Sequence, residues 1–174
     1  MNAAKILSKS NRAIDAYLTD LSHYTIEELQ RRPATGWSLG QVYIHLWMSA
    51  KGFFFKNAEK CLSNDSAVRG KGKTWVGKLV FLTGHMPAVR IRMPESVAVE
   101  PKMPESKEYI VSKFEEIRTL CDEYVKRLPN SDLTLKTRHP FLGYLNAAEW
   151  VTLCQMHMRH HEAQKRRLQK FLRP

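Results

Sequence analysis

Two histidines four residues apart, His157 and His161, stand in the segment EWVTLCQMHMRHHEAQKRRLQKFL. On an α-helix that spacing sets their side chains about 40° apart on one face and one turn apart along the axis. Both rings can then reach one ion at the ~2.0–2.1 Å of a zinc–nitrogen bond. The segment has a seam in steps of four and three through Trp150, Cys154, His157, His161, Gln164, Leu168 and Phe171, which places both imidazoles toward a bundle interior. Buried there without partners, each would cost on the order of 1–3 kcal/mol, and a shared metal ion removes that cost. Gln164, one turn further on, can hydrogen-bond a ligating ring from behind. The bland alternative is a pair of ordinary histidines on a basic helix. His160 lies about 100° off the seam, so it is expected to be exposed and not to be a ligand.

A third imidazole, His45, sits within WSLGQVYIHLWMSA, flanked by apolar residues that direct it inward or along a groove between helices. Two histidines from one helix and one from another leave a coordination position for water or substrate, the pattern of catalytic rather than closed structural zinc. Spacing alone does not bring His45 to the other two. Cys154, one turn before His157, could approach such an ion, but core packing is the expected role because a thiolate ligand needs a lowered pKa. His139, in RHPFLGYLN, could line the pocket, although stabilising the turn at Pro140 is the simpler expectation. Glu149 and Glu162 flank the site off the seam and are expected in exposed salt links. No residue stands out as a catalytic acid or base, and GKGKTW lacks the order of a phosphate-binding loop.

Four helices are expected to position these groups. The first runs from about Ala3 to Ser22, with Leu7, Ile14, Leu18 and Leu21 on one face. The second starts after Ser38, a plausible N-cap, and reaches about Leu62, with Leu39, Val42, Leu46 and Phe53 as one stripe and Gln41, His45, Met48 and Phe55 as the next. Ile110, Phe114, Ile117, Cys121, Tyr124 and Leu128 form the seam of the third, which Pro129-Asn130 ends. The fourth begins near Asn146 and extends to about Leu172. A connection of about 63–105, rich in glycine and proline, joins the second and third helices, and WVGKLVFLTGH within it is apolar enough to pack on the bundle. A crossover that long lets those two helices run parallel. The expected architecture is therefore all-α, one domain over 1–174, an up-down-down-up four-helix bundle.

The chain has 174 residues, 43% hydrophobic and 26% charged, enough for a folded core. Cys61, Cys121 and Cys154 form no CxxC pair and no even set, which argues against a disulfide framework or zinc ribbon and suits a reducing compartment. The uncharged stretch 33–50 contains Gln41 and His45, so a buried helix is expected in place of a membrane span. A soluble, cytoplasmic protein with no membrane partner is expected. The net charge of +11 and pI near 9.7 raise nucleic-acid binding as an alternative, yet the cations are scattered, concentrated only at Arg69–Lys73 and Lys165–Arg167. Solvated faces are the simpler account, and the basic connection could also draw in an anionic thiol or a carboxylated substrate.

The segments GWSLGQVYIHL and HPFLGYLNAAEWVTLCQMHMRHHEAQKRRL resemble the two signature regions of the DinB/YfiT-like superfamily of metal-dependent enzymes. Trp37, Ser38 and His45 match its early motif; His157, His161 and Gln164 match the late one, and the similarity runs through nearly the whole chain in order. The resemblance implies the up-down-down-up bundle and a zinc, nickel or similar divalent ion held by His45, His157 and His161. It also implies hydrolase, isomerase or thiol-transferase chemistry on a small-molecule substrate, the last with a low-molecular-weight thiol. A homodimer stays open, as does a non-catalytic bundle whose metal site is structural or vestigial. The long basic crossover departs from the pattern and weakens any substrate carried over from relatives.

Overall fold

The structure is a computed structural model and describes residues 2–86 and 99–173. Part of the long connection, 87–98, therefore lies outside the described residues. The protein is mostly helical, with one small hairpin. Helix α1 (Ala3–Ser22) buries Ile6, Ser10, Ile14, Tyr17 and Leu21, spaced four, four, three and four apart. A short helix, α2 (Ile26–Gln30), follows and was not expected. Its signal is local: Thr25 and Glu28 form a complete capping box that satisfies two otherwise orphaned N–H groups.

The second expected helix is continuous but not uniform. It comprises α3 (Leu39–Ser49), a π-helical segment (Ala50–Phe55) and α4 (Lys56–Leu62). Ser38 caps it and forms a capping box with Gln41. Gln41 thus serves the helix start, not the interior stripe: its Oε1 accepts from Ser38 N–H, and its Nε2 donates to the Pro101 carbonyl at 2.7 Å. Widening the turn over 50–55 lets consecutive phenylalanines serve two neighbours. Phe53 and Phe54 meet rings of the last helix, while Phe55 packs on Tyr124. Such wide turns are rare and often lie at functional sites.

Within the connection, α5 (Trp75–Thr83) starts at Thr74, whose hydroxyl accepts from Gly77 N–H, and stops at Gly84 in the left-handed conformation. Helix α6 (Lys107–Arg127) buries Ile110, Phe114, Ile117, Cys121 and Tyr124, the expected seam, and its cap is Ser106. Strands β1 (Lys136–His139) and β2 (Gly143–Asn146) then pair antiparallel, Lys136 opposite Asn146 and His139 opposite Gly143. Single bridges tie Val68 to Lys136 and Lys73 to Gly143, so the basic stretch 68–73 lies along the hairpin. The hairpin leads directly into α7 (Ala147–Leu172), which Asn146 and Glu149 cap reciprocally.

Helix α1 packs on α6 and α7, α3 on α6 and α7, and α4 on α7, around a core that includes Trp150, Tyr43, Phe114 and Ile14. Not every expectation for α7 holds. Phe171 is 41% exposed, whereas Lys165 and Leu172 are buried. A strict alternation of four and three averages 3.5 residues, and a straight helix drifts about 20° per heptad from it, about 60° over the three heptads from Trp150. That rotation takes Phe171 out and brings Leu172 in, while Lys165 is held in by Asp20 and the Tyr17 ring on α1. Glu149, expected in an exposed link, is buried at the helix start, where its carboxylate caps Asn146 N–H and pairs with Lys73.

Candidate metal centre

Three chain segments converge at the histidines. The capping box at Ser38 fixes the phase of α3, which turns His45 toward α7. On α7, His157 and His161 stand on the face that meets α3 and the π-helical segment. His45 Nε2 lies 3.0 Å from His157 Nε2. The ring centroids of His161 lie 4.8 Å from His45 and 4.6 Å from His157. One nitrogen of each imidazole lies within 4.8 Å of the others, and among the described residues no cysteine, aspartate or glutamate joins this group of three.

The surroundings favour neutral rings with free lone pairs. Burial lowers the pKa of His45 to about 3 and of His161 to about 4, and it takes His157 well below the ordinary value, helped by its neighbours His161 and His45. Gln164 Oε1 stands 2.9 Å from His161 Nδ1. An amide oxygen only accepts, so Nδ1 carries the hydrogen and Nε2 is left to bind an ion. Trp37 covers the His45 ring at 4.8 Å, and Phe54 meets His157 edge-on at 5.3 Å. Two nitrogens bound tetrahedrally to one zinc stand about 3.3 Å apart. The 3.0 Å pair is close to that, and a cation can take the place of the single proton that one neutral tautomer would put between the two rings. The donor set fits a divalent metal.

The remaining candidates separate cleanly. Cys154 does not reach the histidines; its thiol lies against that of Cys121 in the core, and that contact with burial pushes its pKa up. His139 belongs to the hairpin, where its Nδ1 accepts from the backbone N–H groups of Phe141 and Leu142, both at 3.2 Å. Its ring packs on Trp150 and Phe53, and burial lowers its pKa to about 4. His160, expected to be exposed, is half-buried, stacked beside His157 at 6.2 Å and outside the ligand group. Trp150 is core, as its seam position predicts; Trp37 and Trp47 are partly buried, Trp47 donating to Glu116 at 2.8 Å.

Sequence reasoning missed the role of Lys165. Counted with a run of surface cations, it is 2% exposed, bridges Asp20 and Glu162, and lies over the Tyr17 ring at 4.2 Å. It is therefore withdrawn from the basic end of α7. No local pattern in the sequence marks it, because Asp20 and Tyr17 lie on α1. Among comparisons with known proteins, a family model described as the DinB superfamily matches residues 6–164, and no curated protein matches.

Proposed function

The chain belongs to the DinB superfamily, and from that premise we propose that it is a metal-dependent enzyme of hydrolase or thiol-transferase type acting on a small molecule. The observation that carries this reading is the convergence of three partly buried, neutral imidazoles with no fourth acidic or thiol side chain among the described residues. His45, His157 and His161 would hold zinc or nickel, both of which suit imidazole ligands. A bound ion of this kind lowers the pKa of a water or thiol and polarises a carbonyl. Gln164 orients His161 through Nδ1, and Trp37 and Phe54 keep water from the backs of His45 and His157.

The same reading takes the long helices as an up-down-down-up bundle, and the cross-helix pairs support it. Asp15–Arg118 and Ser22–Lys107 run in opposite senses along α1 and α6. Trp47–Glu116 and Glu59–Arg127 run in the same sense along α3–α4 and α6, as do Tyr17–Met158 and Asp20–Lys165 along α1 and α7.

Metal analysis of protein purified without an affinity metal tests the proposal. About one zinc or nickel ion per chain is expected, and His157→Ala should lose it. A chain that neither retains an ion nor melts higher when zinc or nickel is added would overturn it.

A further inference from the structure

Helix α5 has two apolar faces and only one partner. Gly77 and Val80 are buried toward the protein, and a Cβ on Gly77 would stand 2.1 Å from the Leu142 carbonyl oxygen, so the helix is seated hard against the hairpin. On the opposite side Trp75, Leu79 and Leu82, spaced four and three apart, are 76%, 48% and 85% exposed. The sequence led us to expect WVGKLVFLTGH to pack on the bundle. It does so with one face, and the other forms an outward apolar stripe.

The stretches that carry and flank that stripe hold cations and no carboxylate side chain of their own. Residues 66–86 and the hairpin residues 133–146 contain Arg69, Lys71, Lys73, Lys78, Lys136 and Arg138 and no aspartate or glutamate. The two stretches are held together by the Val68–Lys136 and Lys73–Gly143 bridges and by Thr74 donating to the Phe141 carbonyl. Lys73 is engaged with buried Glu149 and Arg69 with Asp132, while Lys71, Lys78 and Arg138 are exposed. At its far end α5 is pinned by Arg159, which donates to the Gly84 carbonyl and contacts His85. The stripe is thus presented on a preformed helix, without an ordering cost on contact.

We propose that the outer face of α5, Trp75, Leu79 and Leu82 within a rim of Lys71, Lys78 and Arg138, docks this protein peripherally on an anionic lipid surface. An indole at the headgroup level, aliphatic side chains at the acyl boundary and cations facing lipid phosphates are the components of interfacial binding. Two other occupants fit less well. A second copy docking through the same face would bring like charges together around a small apolar contact. A nucleic acid would match the cations, but Leu79 and Leu82 offer no ring for a base to stack on. No described helix is long and apolar enough to cross a membrane, and this contact needs none.

The test uses the full chain with vesicles of phosphatidylcholine alone and of an equal mixture with phosphatidylglycerol, read by co-sedimentation and tryptophan fluorescence. Binding is expected to the mixed vesicles only, weakening with salt, with a blue shift that Trp75→Phe abolishes while binding persists. Leu79→Glu and Leu82→Glu should each weaken binding at least about tenfold, and Lys71→Gln and Lys78→Gln about fivefold each. These side chains are exposed, so unchanged melting and helix content verify that the variants fold. No binding to mixed vesicles at low salt would overturn the proposal, as would glutamate variants that bind like the native chain. A concentration-dependent dimer dissolved by Leu82→Glu, without vesicle binding, would assign the face to a second copy. Oligonucleotide binding lost in Trp75→Ala, again without vesicle binding, would assign it to nucleic acid; either result rejects the lipid surface.

Discussion

Gln164 Oε1 accepts from His161 Nδ1 at 2.9 Å, one helical turn along α7, so a neutral amide sets which nitrogen of a partly buried imidazole is free. The bond fixes both tautomer and ring orientation. Removing it should leave the three nitrogens in place on average but unrestrained. Gln164→Ala is therefore expected to weaken metal binding about 10–100-fold, measured by competition with a chromophoric chelator. Affinity equal to the native protein's would show that the ring is held by packing alone.

The three histidines should behave as a set, and His160 should not belong to it. His45→Ala, His157→Ala and His161→Ala are each expected to abolish stoichiometric metal binding, with His160→Ala close to native despite its ring lying 5.3 Å from that of His161. Bound metal should raise the melting temperature, because the native state binds it and the unfolded chain holds it weakly. Chelation should lower the melting point but preserve a cooperative transition, since the core of α1, α3, α6 and α7 is buried without the ion. Equal losses from His160→Ala and His161→Ala would refute the assigned ligand face.

The depressed histidine pKa values give the metal-free protein an acid-sensitive stability. Burial holds His45 near 3 and His139 and His161 near 4, against 6.5 for a free imidazole. Below about pH 6.5 the unfolded chain takes up protons that the folded state refuses. Stability is therefore complete above that value and is lost progressively toward pH 4, with a slope of up to about 1.4 kcal/mol per pH unit for each such histidine. Urea midpoints of chelator-treated protein at pH 7.5, 6 and 5 should decline in that order. A flat profile would mean the imidazoles titrate alike in both states. Because the folded rings stay neutral, metal should be retained to about pH 5, below the point where free imidazole protonates.

Gly77 offers a prediction whose sign is informative. Replacing glycine by alanine inside an exposed helix ordinarily stabilises by about 1 kcal/mol. Here the new Cβ would meet the Leu142 carbonyl oxygen at 2.1 Å, a backbone atom that cannot swing aside. Gly77→Ala should destabilise by about 1–3 kcal/mol in urea denaturation. Stabilisation would show that α5 does not sit against the hairpin.

Much of the helical framework was legible in the chain because amphipathic spacing and capping residues act locally. Ala3–Ser22, the start at Ser38 and the α6 seam from Ile110 to Tyr124 follow from side chains three and four apart, where burial and hydrogen bonding need no distant partner. His157 and His161 were legible as a pair for the same reason: one helix carries both. What the local pattern could not decide is whatever depends on a second element. His45 meets His157 only through the packing of α3 on α7. Lys165 is buried only because α1 brings Asp20 and the Tyr17 ring to it, and Glu149 only because the hairpin brings Lys73. The alternation of four and three marks a face near its start but drifts around a long straight helix, so Phe171 and Leu172 exchange places at the far end. WVGKLVFLTGH is apolar on both faces, and hydrophobicity alone cannot say which one the protein covers; the close approach of Gly77 to Leu142 decides it.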